Sequence, residues 1–148
     1  MTEIGFYHLT RSSADDSLPA LLGRTLAAGK RALVRCQDAA RVEALDAALW
    51  RAPEPIWLPH GTAKMGDAPL QPIWITSGDE VPNGATYLFL LDGVQAADTA
   101  TFERLFDLFD GNEPSAVAAA RLRWTEAKAA GHTLAYWKQE PKGWTRAG

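Results

Sequence analysis

The chain has a single cysteine, Cys36, so no intramolecular disulfide can form. It lies in the apolar run Ala32-Leu-Val-Arg-Cys36, where a buried, inert thiol is expected. Histidine is scarce too. His8, His60 and His132 are scattered, and no Cys/His pair has ligand spacing, so no metal is expected. Long apolar runs are missing: Tyr87-Leu-Phe-Leu-Leu91 is the longest and falls far short of a membrane span. The opening residues Met1-Thr-Glu-Ile-Gly5 have no basic start followed by an apolar core, so no secretory signal is expected. Cytoplasmic residence, away from any membrane, is the resulting expectation. Positive charge is in deficit, with 15 Lys and Arg against 18 Asp and Glu, which argues against broad attraction to nucleic acid.

Phosphate-binding signatures are also absent. No G-x-x-x-x-G-K-[ST] occurs. Ala27-Ala-Gly-Lys30 resembles its end, but Arg31 stands where the metal-binding hydroxyl belongs. That segment also closes a helix, the reverse of the polarity a phosphate needs. No G-x-G-x-x-G follows the first strand, and no G-x-S-x-G elbow offers a serine nucleophile. Asp107 and Asp110 could form an acid pair, but a solvated face is the ordinary explanation. No convergent catalytic set emerges, and no cofactor is expected.

What is present is an ordinary globular composition of 148 residues, 47% hydrophobic and 22% charged. This suits one domain with a sizeable core. The spacing predicts a strand over residues 3–9 and then a helix carrying Leu18, Leu21, Leu22 and Leu26, with Pro19 in its first turn and Gly29 as its stop. A strand over 31–36 precedes a helix capped by Asp38, bearing Val42, Leu45 and Leu49 and ending near Trp50. Regular periodicity then disappears from 51 to 70, where prolines and glycines mark a long irregular connection of a kind that is often functional. Strands are predicted over 71–76 and 86–91, a helix over 101–109, a basic-aromatic helix over 115–131 and a strand over 132–138. Residues 1–140 form the expected domain, and the tail from 141 to 148 is expected to fray. The alternation predicts an α/β sandwich: a mostly parallel central sheet flanked by helices, with Leu105 and Phe106 of the 101–109 helix packed on a sheet face. The fold class is Rossmann-like without a nucleotide site.

Binding surface is what remains. Helical spacing puts Val117, Arg121, Trp124 and Lys128 on one stripe at i, i+4, i+7 and i+11. A core stripe would be aliphatic and a solvated one would lack the Trp. Cations beside an aromatic suit a ligand that joins an anion to an apolar ring, such as a peptide ending in a hydrophobic residue and its carboxylate. A surface helix whose Trp packs inward at one edge is the plainer alternative. The chain carries six tryptophans. Trp50 and Trp57 bracket the irregular loop, either as interface anchors or as plugs for its underside. His60 in the same loop is expected to fix it by hydrogen bonding.

Several segments, in order along the chain, resemble the chi subunit family of bacterial DNA polymerase III. They are Phe6-Tyr-His-Leu9, Gly29-Lys-Arg-Ala-Leu-Val-Arg-Cys36, Leu45-Asp-Ala-Ala-Leu-Trp50, Leu58-Pro-His60 and Ala120-Arg-Leu-Arg-Trp124 with Ala130-Gly131. The resemblance implies a non-catalytic accessory subunit of the clamp-loader complex. It also implies two partners: the psi subunit and the acidic C-terminal tail of the single-stranded-DNA-binding protein. By this resemblance the tail site falls on Arg121 and Trp124, with Val117 beside them. Thr125 stands where well-known members carry a lysine, and Arg123 or Lys128 would supply the missing charge. The psi-facing residues would be Trp50, Trp57, Pro59 and His60. The competing reading is a small nucleotide-dependent enzyme on a doubly wound fold.

Overall fold

The computed structural model describes residues 2–53 and 58–148. Among the described residues, seven strands form one sheet in the order β3-β2-β4-β5-β1-β6-β7. They are β1 (Glu3–Leu9), β2 (Ala32–Arg35), β3 (Ile73–Thr76), β4 (Tyr87–Leu91), β5 (Arg104–Asp110), β6 (Thr133–Glu140) and β7 (Gly143–Arg146). All adjacent pairs are parallel except β6 with β7. Helices α1 (Ala14–Ala27) and α2 (Ala39–Arg51) cover one face, and α3 (Pro114–Ala129) covers the other.

The strands bury both faces, so successive side chains enter opposite cores. In β1, Tyr7 and Leu9 point to α1 and α2, while Ile4 and Phe6 point to α3. Gly5 lies on the Tyr7 side, where a Cβ would come within 2.8 Å of the Tyr7 ring. On the α1 and α2 side Leu18, Leu22 and Leu45 are fully buried. The expected sheet neighbours β1 to β4 are all in place, with β5 inserted between β4 and β1.

Two expectations need correction. Residues 101–109 do not form an amphipathic helix: a short 3-10 turn, Thr99–Thr101, leads into β5. Leu105, Phe106, Leu108 and Phe109 fit helical spacing, but a central parallel strand also reads as a near-continuous apolar run. Phe106 and Leu108 enter one core, and Leu105 and Phe109 the other. The tail does not hang free either. It returns as β7, antiparallel to β6, because Trp144 packs edge-on to Tyr7 at 5.3 Å between ring centroids. In addition, α1 begins at Ala14, capped by Ser13, which puts Pro19 in the second helical turn.

The segment after the undescribed residues is tied down by Gly61, which bridges in parallel to Trp74 at the outer edge of β3.

Candidate functional site

The basic-aromatic helix is α3, and its stripe splits at the protein surface. Val117, Ala120, Trp124 and Ala127 face the sheet. Arg121, Thr125 and Lys128 are exposed. The Trp124 ring meets Phe6 edge-on at 5.4 Å and Tyr136 at 5.8 Å, which leaves one side of it open. Trp124 therefore packs inward at one edge, as in the plainer reading of this helix, and its open side lines a groove.

That groove, about 580 Å³, runs between α3 and the α3-facing residues of β1 and β6. Arg121, Trp124 and Thr125 form one wall, and His8, Tyr136 and Lys138 form the floor and far wall. Strand register makes this floor, because Phe6 stands opposite Tyr136 and His8 opposite Lys138. Ala147 and Gly148 close one end, with Ala147 N–H donating to the Tyr136 carbonyl at 2.7 Å. The Thr125 hydroxyl donates to the Arg121 carbonyl at 3.1 Å, an ordinary bond back into its own helix.

Two cations, Arg121 and Lys138, face the groove. Among the described residues neither Arg121 nor Lys138 is in an ion pair. Burial, reinforced by Lys138, holds the His8 imidazole below its ordinary pKa. Its Nδ1 lies 2.6 Å from the Tyr136 hydroxyl. Burial pushes the Tyr136 hydroxyl up, with Arg121 pulling the other way.

Arg123 is not part of this groove. Its guanidinium turns beneath α3 and grips Asp107 of β5 with two hydrogen bonds, 2.7 and 3.0 Å long. Both side chains are at least nine-tenths buried. Burial pushes the Asp107 carboxyl above the ordinary range, with Arg123 opposing it. Arg123 is thus occupied, and Asp107 forms no acid pair with Asp110. Val117 lies a turn away and does not line the groove, nor does Lys128.

A second surface centres on the end of α2. Trp50 is 54% exposed and lies over His60, ring centroids 4.3 Å apart. His60 itself is buried. Its Nδ1 donates to the Leu58 carbonyl at 2.7 Å, and its Nε2 lies 3.1 Å from Asp46 Oδ1 on α2. His60 therefore ties its own loop at Leu58, while Nε2 and Asp46 Oδ1 face each other without a hydrogen bond, and Trp50 of α2 packs over the ring. Pro59 is half-buried beside it, and Trp57 lies outside the described residues.

His8, Tyr136 and Lys138 were not legible as site residues. His8 and Tyr136 are 128 positions apart, and only strand pairing brings them together. Elsewhere, Cys36 is buried and its thiol is pushed up to about 12 by desolvation. Among the described residues no three His, Cys, Asp or Glu side chains gather to hold a metal, and no helix is long and apolar enough to cross a membrane.

The fold and groove define a class first: an open α/β sheet carrying a groove lined by two cations and two aromatic rings. The chain belongs to the DNA polymerase III chi subunit family (HolC), whose sequence profile matches residues 1–135. It is similar to the DNA polymerase III subunit chi of Escherichia coli (strain K12), with 29% identity over 148 residues, covering 93% of this chain and 100% of the relative. The family is an accessory, non-catalytic component of a replicative polymerase. Lys138 and β7 lie beyond the matched residues, so part of the groove is formed outside them.

Proposed function

We propose that this chain is a cytoplasmic adaptor in DNA replication. It holds the acidic C-terminal tail of the single-stranded-DNA-binding protein in the α3–β6 groove. It engages the psi subunit, and through it the clamp loader, by the Trp50–His60 surface. The observation that carries the reading is the pairing of two uncommitted cations, Arg121 and Lys138, with the open faces of Trp124 and Tyr136. A terminal carboxylate would meet the Arg121 fork, where charge-assisted hydrogen bonds are about twice as strong as neutral ones. The ring of a terminal Phe would lie on Trp124 and Tyr136. Lys138 takes over the supporting role first assigned to Arg123, and Lys128 adds longer-range attraction to the tail's acidic residues.

Calorimetry with the tail peptide, and with a copy lacking its final Phe, tests this. Arg121→Ala is expected to cost about 2 kcal/mol or more of binding, by comparison with interface charge pairs. Arg121→Lys restores it only in part, because an ammonium lacks the planar fork. Binding weakens as salt rises. Equal affinity for both peptides, or an Arg121→Ala variant that binds like the parent, would overturn the reading.

A further inference from the structure

In doubly wound sheets, ligands bind beyond the carboxyl ends of the strands. The turn leading from the first strand into the first helix is where backbone N–H groups gather around an anion. Here that turn comprises Thr10, Arg11, Ser12 and Ser13. The N–H groups of Thr10, Arg11 and Ser12 all donate to one oxygen, Gln139 Oε1 of β6, at 3.1, 2.8 and 3.1 Å. The other half of the same amide is used as well, because Gln139 Nε2 donates to Ser12 Oγ at 2.8 Å. The Thr10 hydroxyl donates to the Gln139 carbonyl at 3.0 Å.

We propose that Gln139 is a resident plug in an anion-binding turn. Its amide oxygen takes the three N–H groups that would otherwise hold a phosphate oxygen, and its side chain latches the end of β6 to the start of α1. A neutral plug suits the surroundings. Asp16, Asp92 and Asp110 line the adjoining crevice with two cations: Arg41, committed to Asp15 at 2.5 Å and Asp92 at 2.7 Å, and the exposed Arg11, so carboxylates outnumber the cation left free. A phosphate placed there would displace a well-made contact and face acidic side chains. The inference stands apart from the tail-binding reading: Gln139 lies on the α1 side of the sheet, whereas Tyr136 and Lys138 lie on the α3 side.

Amide NMR of the full chain tests it, with inorganic phosphate as the probe and chloride at equal ionic strength as the control. In the parent, the amides of residues 10–12 are expected to exchange slowly and not to respond to phosphate. In Gln139→Ala their protection falls by about tenfold or more, because three N–H groups lose their shared acceptor. Their resonances then shift saturably with phosphate. In Gln139→Glu the carboxylate keeps the three N–H bonds, so protection persists and phosphate has no effect. A parent that responds to phosphate as strongly as Gln139→Ala, or a folded Gln139→Ala that never responds, overturns the proposal. Should Gln139→Ala not fold, exchange in the parent decides: fast exchange at residues 10–12 refutes the plug, and protection matching the β6 core supports it.

Discussion

Arg121 and Arg123 are two residues apart on one helix, yet substitution is expected to affect them in opposite ways. Arg123→Ala removes both hydrogen bonds from Asp107, whose side chain is only 4% exposed. Breaking one side of a buried pair costs about 3–5 kcal/mol, because the remaining charge is stranded. For a chain of this size each kcal/mol lowers Tm by roughly 2–4 °C, so a fall of about 6–20 °C is expected. The deficit should depend on pH. Burial already holds the Asp107 carboxyl above its ordinary range, and loss of Arg123 removes the main opposing influence. A folded-state pKa raised above the unfolded one leaves stability intact below the unfolded carboxylate range and loses it as pH rises through the folded value. The gap between variant and parent should therefore be widest near neutrality and close on acidification. Urea denaturation by circular dichroism at several pH values measures this. The double change Arg123→Met with Asp107→Leu should recover most of the loss, since apolar replacement of a buried pair is often neutral or better. Tail-peptide affinity of folded Arg123→Ala should match the parent. A stability loss under about 1 kcal/mol, a deficit indifferent to pH, or a binding defect like that of Arg121→Ala would refute this account of the helix.

Cys36 should react with a thiol reagent at neutral pH only as fast as the protein opens, since the thiol is buried with its pKa near 12; prompt labelling of the native chain would contradict that. Tail binding should tighten as pH falls below the ordinary imidazole value of 6.5, because an anionic ligand raises the depressed pKa of His8 and binding takes up a proton. Calorimetry of His8→Gln should show that pH dependence flattened, and an unchanged profile would remove His8 from the groove's chemistry. Trp50→Ala should cost the psi complex about 2 kcal/mol or more with little change in Tm, as an exposed interface anchor would. Unchanged affinity for psi, measured on a folded variant, would displace the proposed surface.

The first half of the fold was readable because its elements carry local signals. Ser13 and Asp38 accept from the backbone of Asp16 and Arg41 as helix caps, β4 is a continuous apolar run, and β2 is apolar up to Arg35. β5 was not readable, because Leu105, Phe106, Leu108 and Phe109 satisfy helical spacing as well as two-sided burial. Only the neighbouring strands decide between them. The groove was half legible. Arg121 and Trp124 lie on one helix, where spacing is informative. Their partners on β1 and β6 arrive through strand register, which no local pattern encodes. Arg123 shows the same limit from the other direction: its partner Asp107 is buried on a strand that had been read as a helix.

An open sheet has two margins that could recruit another chain strand by strand, and both are blunted here. On one side β7 is only four residues long and ends in a charged residue, Arg146. On the other, Gly61 takes up the main-chain groups of β3, donating to the Ile73 carbonyl at 3.0 Å and accepting from Ile75 N–H at 3.0 Å. A Cβ at Gly61 would come within 2.8 Å of the Gln71 side chain, which would have to move aside. The chain is thereby built against stacking with copies of itself. On the proposed reading, associations then run through side chains on helix and loop surfaces, where a single substitution would remove one partner and leave the other.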